Sequence, residues 1–256
     1  SARFDPPHPV LAGDRVRHVG EPIALIVAET LMQARDAAEL IECDIDDLPA
    51  VATIERAIAP EAPCLWQQAP GNVAFHWRSG DLDATEREFA KAAHIARLDL
   101  INNRVVCNPM EPRTATGAFD GGKDEFTLYL STQTPHIERL LLAKATLRAP
   151  ESKLRVVSPD VGGGFGTKAQ HYPETVLVLW AARRLGRPVH WAADRSEGFV
   201  SDRQARDHVT HVELALDAEG KFLALRVVTA ANLGAYFSTF GPLICTFLYS
   251  SVLCGN

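Results

Sequence analysis

The chain has 256 residues, 46% of them hydrophobic, which is enough for one large domain or two modest ones with a real core. Its formal net charge of -6, with Lys and Arg scattered along the chain, excludes the basic stripe that nucleic-acid binding needs. Five cysteines, Cys43, Cys64, Cys107, Cys245 and Cys254, include no Cys-x-x-Cys pair for zinc or an iron–sulfur cluster, so reduced, buried thiols are expected. The start Ser1-Ala2-Arg3-Phe4 has no initiating Met and none of the basic-then-apolar pattern of a signal peptide. Residues 176–182 and 243–253 are too short or too interrupted to cross a bilayer, so a soluble, cytoplasmic protein without a transmembrane segment is expected. Residues 250–256 stop in an apolar context without a cap, and both ends read as those of a fragment.

In chain order, residues 22–28 form an apolar run of strand length, residues 29–43 carry helical spacing with Thr30 as N-cap, and residues 43–48 alternate again. This predicts a small β-α-β unit within residues 1–60. Residues 61–72, with Pro63, Pro70 and Gly71, read as a linker, and residues 73–256 as a second, mixed α/β domain, so the fold class is α+β. Residues 81–93 predict an amphipathic helix, and residues 94–106 and 125–131 predict strands expected to pair in one sheet. Residues 135–149 predict a helix opened by Pro135, residues 154–157 a strand, and residues 174–185 a buried helix stopped by Gly186. Residues 208–216 and 221–230, around Asp217-Ala218-Glu219-Gly220, predict a hairpin.

Between the strand-length run at residues 154–157 and the buried helix at 174–185 lies Gly162-Gly163-Gly164-Phe165-Gly166. Four positions without a Cβ let backbone approach a ligand and turn its N–H groups toward an anion. By itself the loop is weak: it has neither dinucleotide-fingerprint spacing nor a P-loop ending, and a plain tight turn explains it as well. Its company is more specific. Asn108-Pro109-Met110-Glu111-Pro112-Arg113, Ser131-Thr132-Gln133, the stretch from Asp160 through the glycines to Lys168, and Ala231-Asn232-Leu233-Gly234-Ala235-Tyr236 follow in order.

Together these blocks resemble the molybdopterin-binding large subunits of the xanthine dehydrogenase, aldehyde oxidase and aerobic carbon monoxide dehydrogenase family, most closely the carbon monoxide dehydrogenase-like branch. Residues 16–48 resemble the later part of that family's hammerhead domain. The resemblance implies that Gln133 hydrogen-bonds an oxo ligand of molybdenum and that Gly163, Gly164, Phe165 and Gly166 line the metal and pterin. It implies molybdopterin, in its cytosine dinucleotide form, with the metal held by the pterin dithiolene and no protein ligand. Substrate would be oxidised by metal-bound hydroxide or water, with the general-base glutamate expected beyond Asn256, in a missing C-terminal half. FAD and 2Fe-2S clusters are expected on partner subunits.

Lys168 is followed by Ala169 and Gln170, where purine-oxidising relatives carry a glutamate, so xanthine is a doubtful small-molecule substrate and carbon monoxide, aldehydes and N-heterocycles stay open. Bland readings stand beside these. Gln133 fits an ordinary strand end, Phe165 a core aromatic, and Glu111 with Arg113 a solvated ion pair without a direct role. A truncated or split, catalytically inactive subunit acting in assembly is the alternative to part of an enzyme.

Overall fold

The structure, a computed structural model, describes residues 3–253. In chain order its elements are α1 (Leu31–Glu39), α2 (Ile54–Ala57), α3 (Leu82–Lys91), β1 (His94–Asn102), β2 (Thr114–Asp120), β3 (Glu125–Leu130) and α4 (Pro135–Leu141). They continue with β4 (Leu154–Val157), α5 (Pro173–Leu185), β5 (Val189–Ala192), α6 (Arg195–Ser201), β6 (His208–Leu216), β7 (Phe222–Ala231) and the short α7 (Gly241–Leu243). The fold is α+β, with two sheets in two compact units.

One unit comprises Pro7–Leu48 and Val106–Arg203. Its sheet runs β4-β3-β2-β5, with β3 and β4 parallel and the other pairs antiparallel. The inward positions of these strands alternate as a half-buried sheet requires, so Ala115, Phe126, Leu128 and Leu154 meet Val178, Leu179 and Ala182 of α5 in one core. Gly117 lets α5 come this close, because a Cβ there would lie 2.7 Å from the carbonyl carbon and oxygen of Val178. Helix α5 ends at Gly186, which takes the left-handed conformation (φ 65°) that its missing Cβ permits.

The other unit comprises the stretch up to Pro6, Pro49–Val105 and Gln204 onward. Its sheet, β1-β6-β7, is antiparallel, and the β6–β7 hairpin turns where the sequence predicts. Asp81 caps α3, which lays Phe89 under the Arg226 guanidinium, 4.2 Å from the ring centre. Arg226 also pairs with Glu86 and Glu213.

Four expectations need correction. Residues 22–28 and 43–48 join no ladder among the described residues, although Thr30 and Gln33 cap α1 reciprocally as a capping box. Apolar alternation expresses a preference, whereas a strand also needs a neighbour's N–H and C=O groups, and Ile23, Ile45 and Leu48 are exposed. Strands β1 and β3 lie in different sheets: β3 is flanked on both edges by β2 and β4, and β1 pairs along its length with β6. The helix from Pro135 stays α-helical to Leu141, widens to a π-type turn over Leu142–Thr146 and stops before 149. Cys43 and Cys64 are exposed and Cys107 and Cys245 half-buried, so none of these thiols is a buried one; Cys254 lies outside the described residues. No helix among the described residues is long and apolar enough to cross a membrane.

Candidate functional site

Strands β3 and β4 are parallel neighbours connected through α4, so their carboxyl ends open on the same edge of the sheet. Ligands of open α/β sheets bind at such edges. Ser131-Thr132-Gln133 leaves the end of β3, and the glycine loop follows β4. Backbone and side chains tie the two segments together: Gln133 N donates to the Lys168 carbonyl at 3.0 Å, Thr132 Oγ1 to the same oxygen at 2.9 Å, and Ser158 Oγ to the Thr132 carbonyl at 3.0 Å.

Within the loop, Gly163 (φ 93°), Phe165 (φ 51°) and Gly166 (φ 90°) all take left-handed backbone conformations. Three of its amides are engaged internally: Gly162 N–H with the Glu111 carboxylate, Gly166 N–H with Gln133 Oε1 at 3.0 Å, and Thr167 N–H with the Gly164 carbonyl at 2.9 Å. The successive amides of Gly163, Gly164 and Phe165 have no acceptor among the described residues. Such a run of N–H groups forms a concave nest for negative charge. Phe165 is 73% exposed, which corrects its reading as a core aromatic.

Because the Gly166 amide must donate to an oxygen, its contact fixes which way the Gln133 carboxamide points. Gln133 Nε2, on the other arm, makes no hydrogen bond among the described residues and is left to donate outward. A Cβ on Gly164 would stand 2.5 Å from Gln133 Oε1, so glycine there is what allows loop and amide to sit side by side.

The Asn108–Arg113 block supports this edge from below. Arg195, opening α6, donates to Asn108 Oδ1 and to the carbonyls of Pro109 (2.9 Å) and Met110 (3.0 Å). Glu111 and Arg113 do not pair with each other, contrary to the solvated-pair expectation. Glu111 Oε2 meets Lys168 Nζ at 2.6 Å, Ser131 Oγ at 2.7 Å and Gly162 N at 2.7 Å. Desolvation pushes the Glu111 carboxyl up, but hydrogen bonds from Lys168, Ser131 and Gly162 outweigh it and hold the group below its ordinary range.

Arg113 is buried, 3.7 Å from the Tyr172 ring centre, and pairs with Asp202 at 2.5 Å and Glu174 at 3.0 Å. Burial by itself would lower its pKa; Glu174 and Asp202 raise it above the ordinary value, so the guanidinium stays charged. Tyr172, whose hydroxyl burial pushes up, donates to the Thr167 carbonyl at 2.9 Å and so anchors the loop's far end. Sequence reading missed Lys168, Arg113 and Tyr172 as a support for the loop; the one available signal was an acid in the first block and a lysine in the third.

The fourth block lies in the other compact unit, where Tyr236 is buried edge-on against Trp66 and Asn232 holds Asp207. Among the described residues no group of three or more His, Cys, Asp or Glu is placed to hold a metal. The open edge therefore offers neutral donors and no metal ligands, the set expected for an anionic group that brings its own metal ligands.

Residues 65–255 match the family described as the molybdopterin cofactor-binding domain, and residues 2–49 match the a/b hammerhead domain of aldehyde oxidase and xanthine dehydrogenase. The chain belongs to the molybdopterin cofactor-binding domain family. Similar curated proteins include the gamma subunit of the 6-hydroxypseudooxynicotine dehydrogenase complex of Paenarthrobacter nicotinovorans, 37% identical over 93% of this chain and 29% of that protein. Another is the carbon monoxide dehydrogenase large chain of Hydrogenophaga pseudoflava, 36% identical over 91% of this chain and 30% of that one.

Quinoline 2-oxidoreductase from Pseudomonas putida 86 superposes with a TM-score of 0.82 at 36% identity, over 92% of this chain and 30% of its own. The chain thus spans about 30% of the length of these three relatives. The resemblance read from the four blocks is borne out, and these members of the molybdopterin-binding family are oxidoreductases by name. Molybdopterin with molybdenum is the group this family binds, and the donor set at the β3–β4 edge suits it.

Proposed function

We propose that this chain forms one wall of the cofactor site in a molybdenum-dependent hydroxylase or dehydrogenase. The carrying observation is the Gly166 N–H to Gln133 Oε1 hydrogen bond, which turns the Gln133 amino group outward beside three open loop amides. Gln133 Nε2 would donate to an oxo group on molybdenum, and Gly163, Gly164 and Phe165 N–H groups would face the anionic ligands around it. Neutral donors suit this position, since they bind electron-rich atoms without adding net charge. Gly166 contributes through its contact with Gln133.

When bound, the group supplies two-electron oxidation–reduction chemistry; the chain's own residues bind, orient and shield it. The general base, the FAD and the 2Fe-2S clusters are assigned to other parts of the assembly, including partner subunits and a C-terminal portion of the large subunit. In the cofactor we favour the cytosine dinucleotide form, and for the chain a cytoplasmic location and a division into hammerhead residues 1–60, linker 61–72 and cofactor-binding residues 73–256. Ala169 and Gln170 after Lys168 favour carbon monoxide, an aldehyde or an N-heterocycle over xanthine as substrate.

Molybdenum analysis of the complex isolated from its source, with wild type and Gln133→Ala side by side, tests the reading. Metal in the wild type, and a Gln133→Ala protein that folds normally but turns over poorly, is the expected result. A metal-free wild-type complex, or full turnover without the Gln133 amide, overturns it.

A further inference from the structure

The Lys168 side chain is 0% exposed, which is rare for an amine, and its partner Glu111 is 32% exposed. Neither belongs to the set of donors that face the open edge. What distinguishes them is where their contacts lead. A single oxygen, Glu111 Oε2, receives Lys168 Nζ at 2.6 Å, Ser131 Oγ at 2.7 Å and Gly162 N at 2.7 Å. Ser131 is two residues before Gln133, and Gly162 directly precedes the three open amides.

The Lys168 carbonyl in turn accepts from Gln133 N and Thr132 Oγ1, while Glu111 N returns a hydrogen bond to the Gly162 carbonyl at 3.2 Å. The approach is close enough that a Cβ on Gly162 would lie 2.5 Å from Glu111 Cβ. Two segments that share no strand ladder after β3 and β4 end are therefore joined at both Glu111 and Lys168.

We propose that Glu111 and Lys168 are positioning residues, an ion pair that fixes the spacing between the Gln133 amino group and the open amides of Gly163, Gly164 and Phe165. The inference rests on the cofactor-site reading above. A charged pair suits the task because its strength and direction hold three donors on one oxygen, and a buried lysine tolerates no second arrangement without its carboxylate. An apolar pair of similar size would fill the space but leave Ser131 Oγ and Gly162 N without that acceptor. Packing and positioning are thus separable by experiment.

The test uses the full protein as isolated, with Glu111→Leu, Lys168→Met, the double variant, whose apolar pair offers no acceptor, and Ser131→Ala, which removes one donor without touching charge. Hydrogen exchange of peptides spanning residues 160–168 and molybdenum retention on dialysis are read together with thermal stability. The double variant, free of unpaired charge, is expected to regain the stability lost in the single variants. It is nevertheless expected to exchange faster across the loop and to hold molybdenum about tenfold or more weakly, the usual scale for residues that orient the groups around a metal. Ser131→Ala is expected to move both readouts in the same direction at near-normal stability.

Wild-type exchange and metal retention in the double variant would reduce the pair to packing and overturn the proposal. If the double variant does not fold, unchanged loop exchange in Ser131→Ala overturns it equally. Gln133→Ala serves as the separate control: if it retains the metal and activity fully, the cofactor-site reading fails, whereas loop exchange in the Glu111 and Lys168 variants still reports on the positioning pair itself.

Discussion

Replacing Gly164 with alanine places a methyl carbon 2.5 Å from Gln133 Oε1, 2.6 Å from Cδ and 2.8 Å from Cγ. Nonbonded carbon contacts settle near 3.5 Å, so the carboxamide must retreat by about 1 Å. That movement breaks the 3.0 Å hydrogen bond from Gly166 N and swings Nε2 away from the open amides. The backbone at Gly164 is not left-handed and the obstructing atoms are the end of a flexible, exposed side chain. The stability loss should therefore be only that of one hydrogen bond, about 0.5–1.5 kcal/mol.

For a chain of this size, each kcal/mol lowers Tm by about 2–4 °C. Gly117→Ala is the contrasting perturbation. Its new methyl meets the α5 backbone 2.7 Å away, which cannot rotate aside, and such overpacking costs about 1–3 kcal/mol. Thermal unfolding combined with molybdenum content per folded molecule separates the two. Gly164→Ala should melt within a few degrees of wild type yet lose metal, by about tenfold or more in affinity. Gly117→Ala should melt lower and keep its metal. Full metal content in Gly164→Ala refutes the placement of the loop and Gln133 against the cofactor.

Arg113→Met leaves Glu174 and Asp202 buried without their shared cation, and urea unfolding should show a loss of about 3–5 kcal/mol; a loss no larger than that of a surface pair contradicts the network's importance. Glu111, whose carboxyl is held below its unfolded value, contributes stability that is fully present above the ordinary carboxylate range and is lost as pH falls through the depressed folded value. The stability difference between wild type and Glu111→Gln should accordingly shrink on acidification, measured by denaturant midpoints at a series of acid pH values, and a difference that grows instead refutes the assignment.

Much of the local structure was legible because it is written in short-range chemistry. Thr30 ahead of a helical run, Asp217 to Gly220 between alternating runs, and Gly186 after an apolar helix each carry their own geometry. Strand β2 was not legible: Gly117 interrupts its pattern, and the reason for that glycine is α5, more than sixty residues away in sequence by the contact with Val178. At the site, recognition of the motif blocks pointed to Gln133 and the glycines. Glu111 and Arg113 were misread as partners because they are near in sequence, whereas their real partners, Lys168, Glu174 and Asp202, are 57, 61 and 89 residues away. Local periodicity holds no information about such distant pairings.

The register of β1 against β6 has a consequence for synthesis. Arg97 and Glu213, paired across that ladder, are 116 residues apart. At a translation rate of roughly 5–20 residues per second, β1 emerges on the order of ten seconds before its partner strand exists. During that interval the backbone N–H and C=O groups of β1 have no ladder partner, whereas the segments that meet at Gln133 and Lys168 are made close together. The direct contacts between the Gln133 and Lys168 segments thus join pieces of chain made within a few seconds of each other, while the rest of the edge waits for Arg195 and Asp202 and β1 waits for β6.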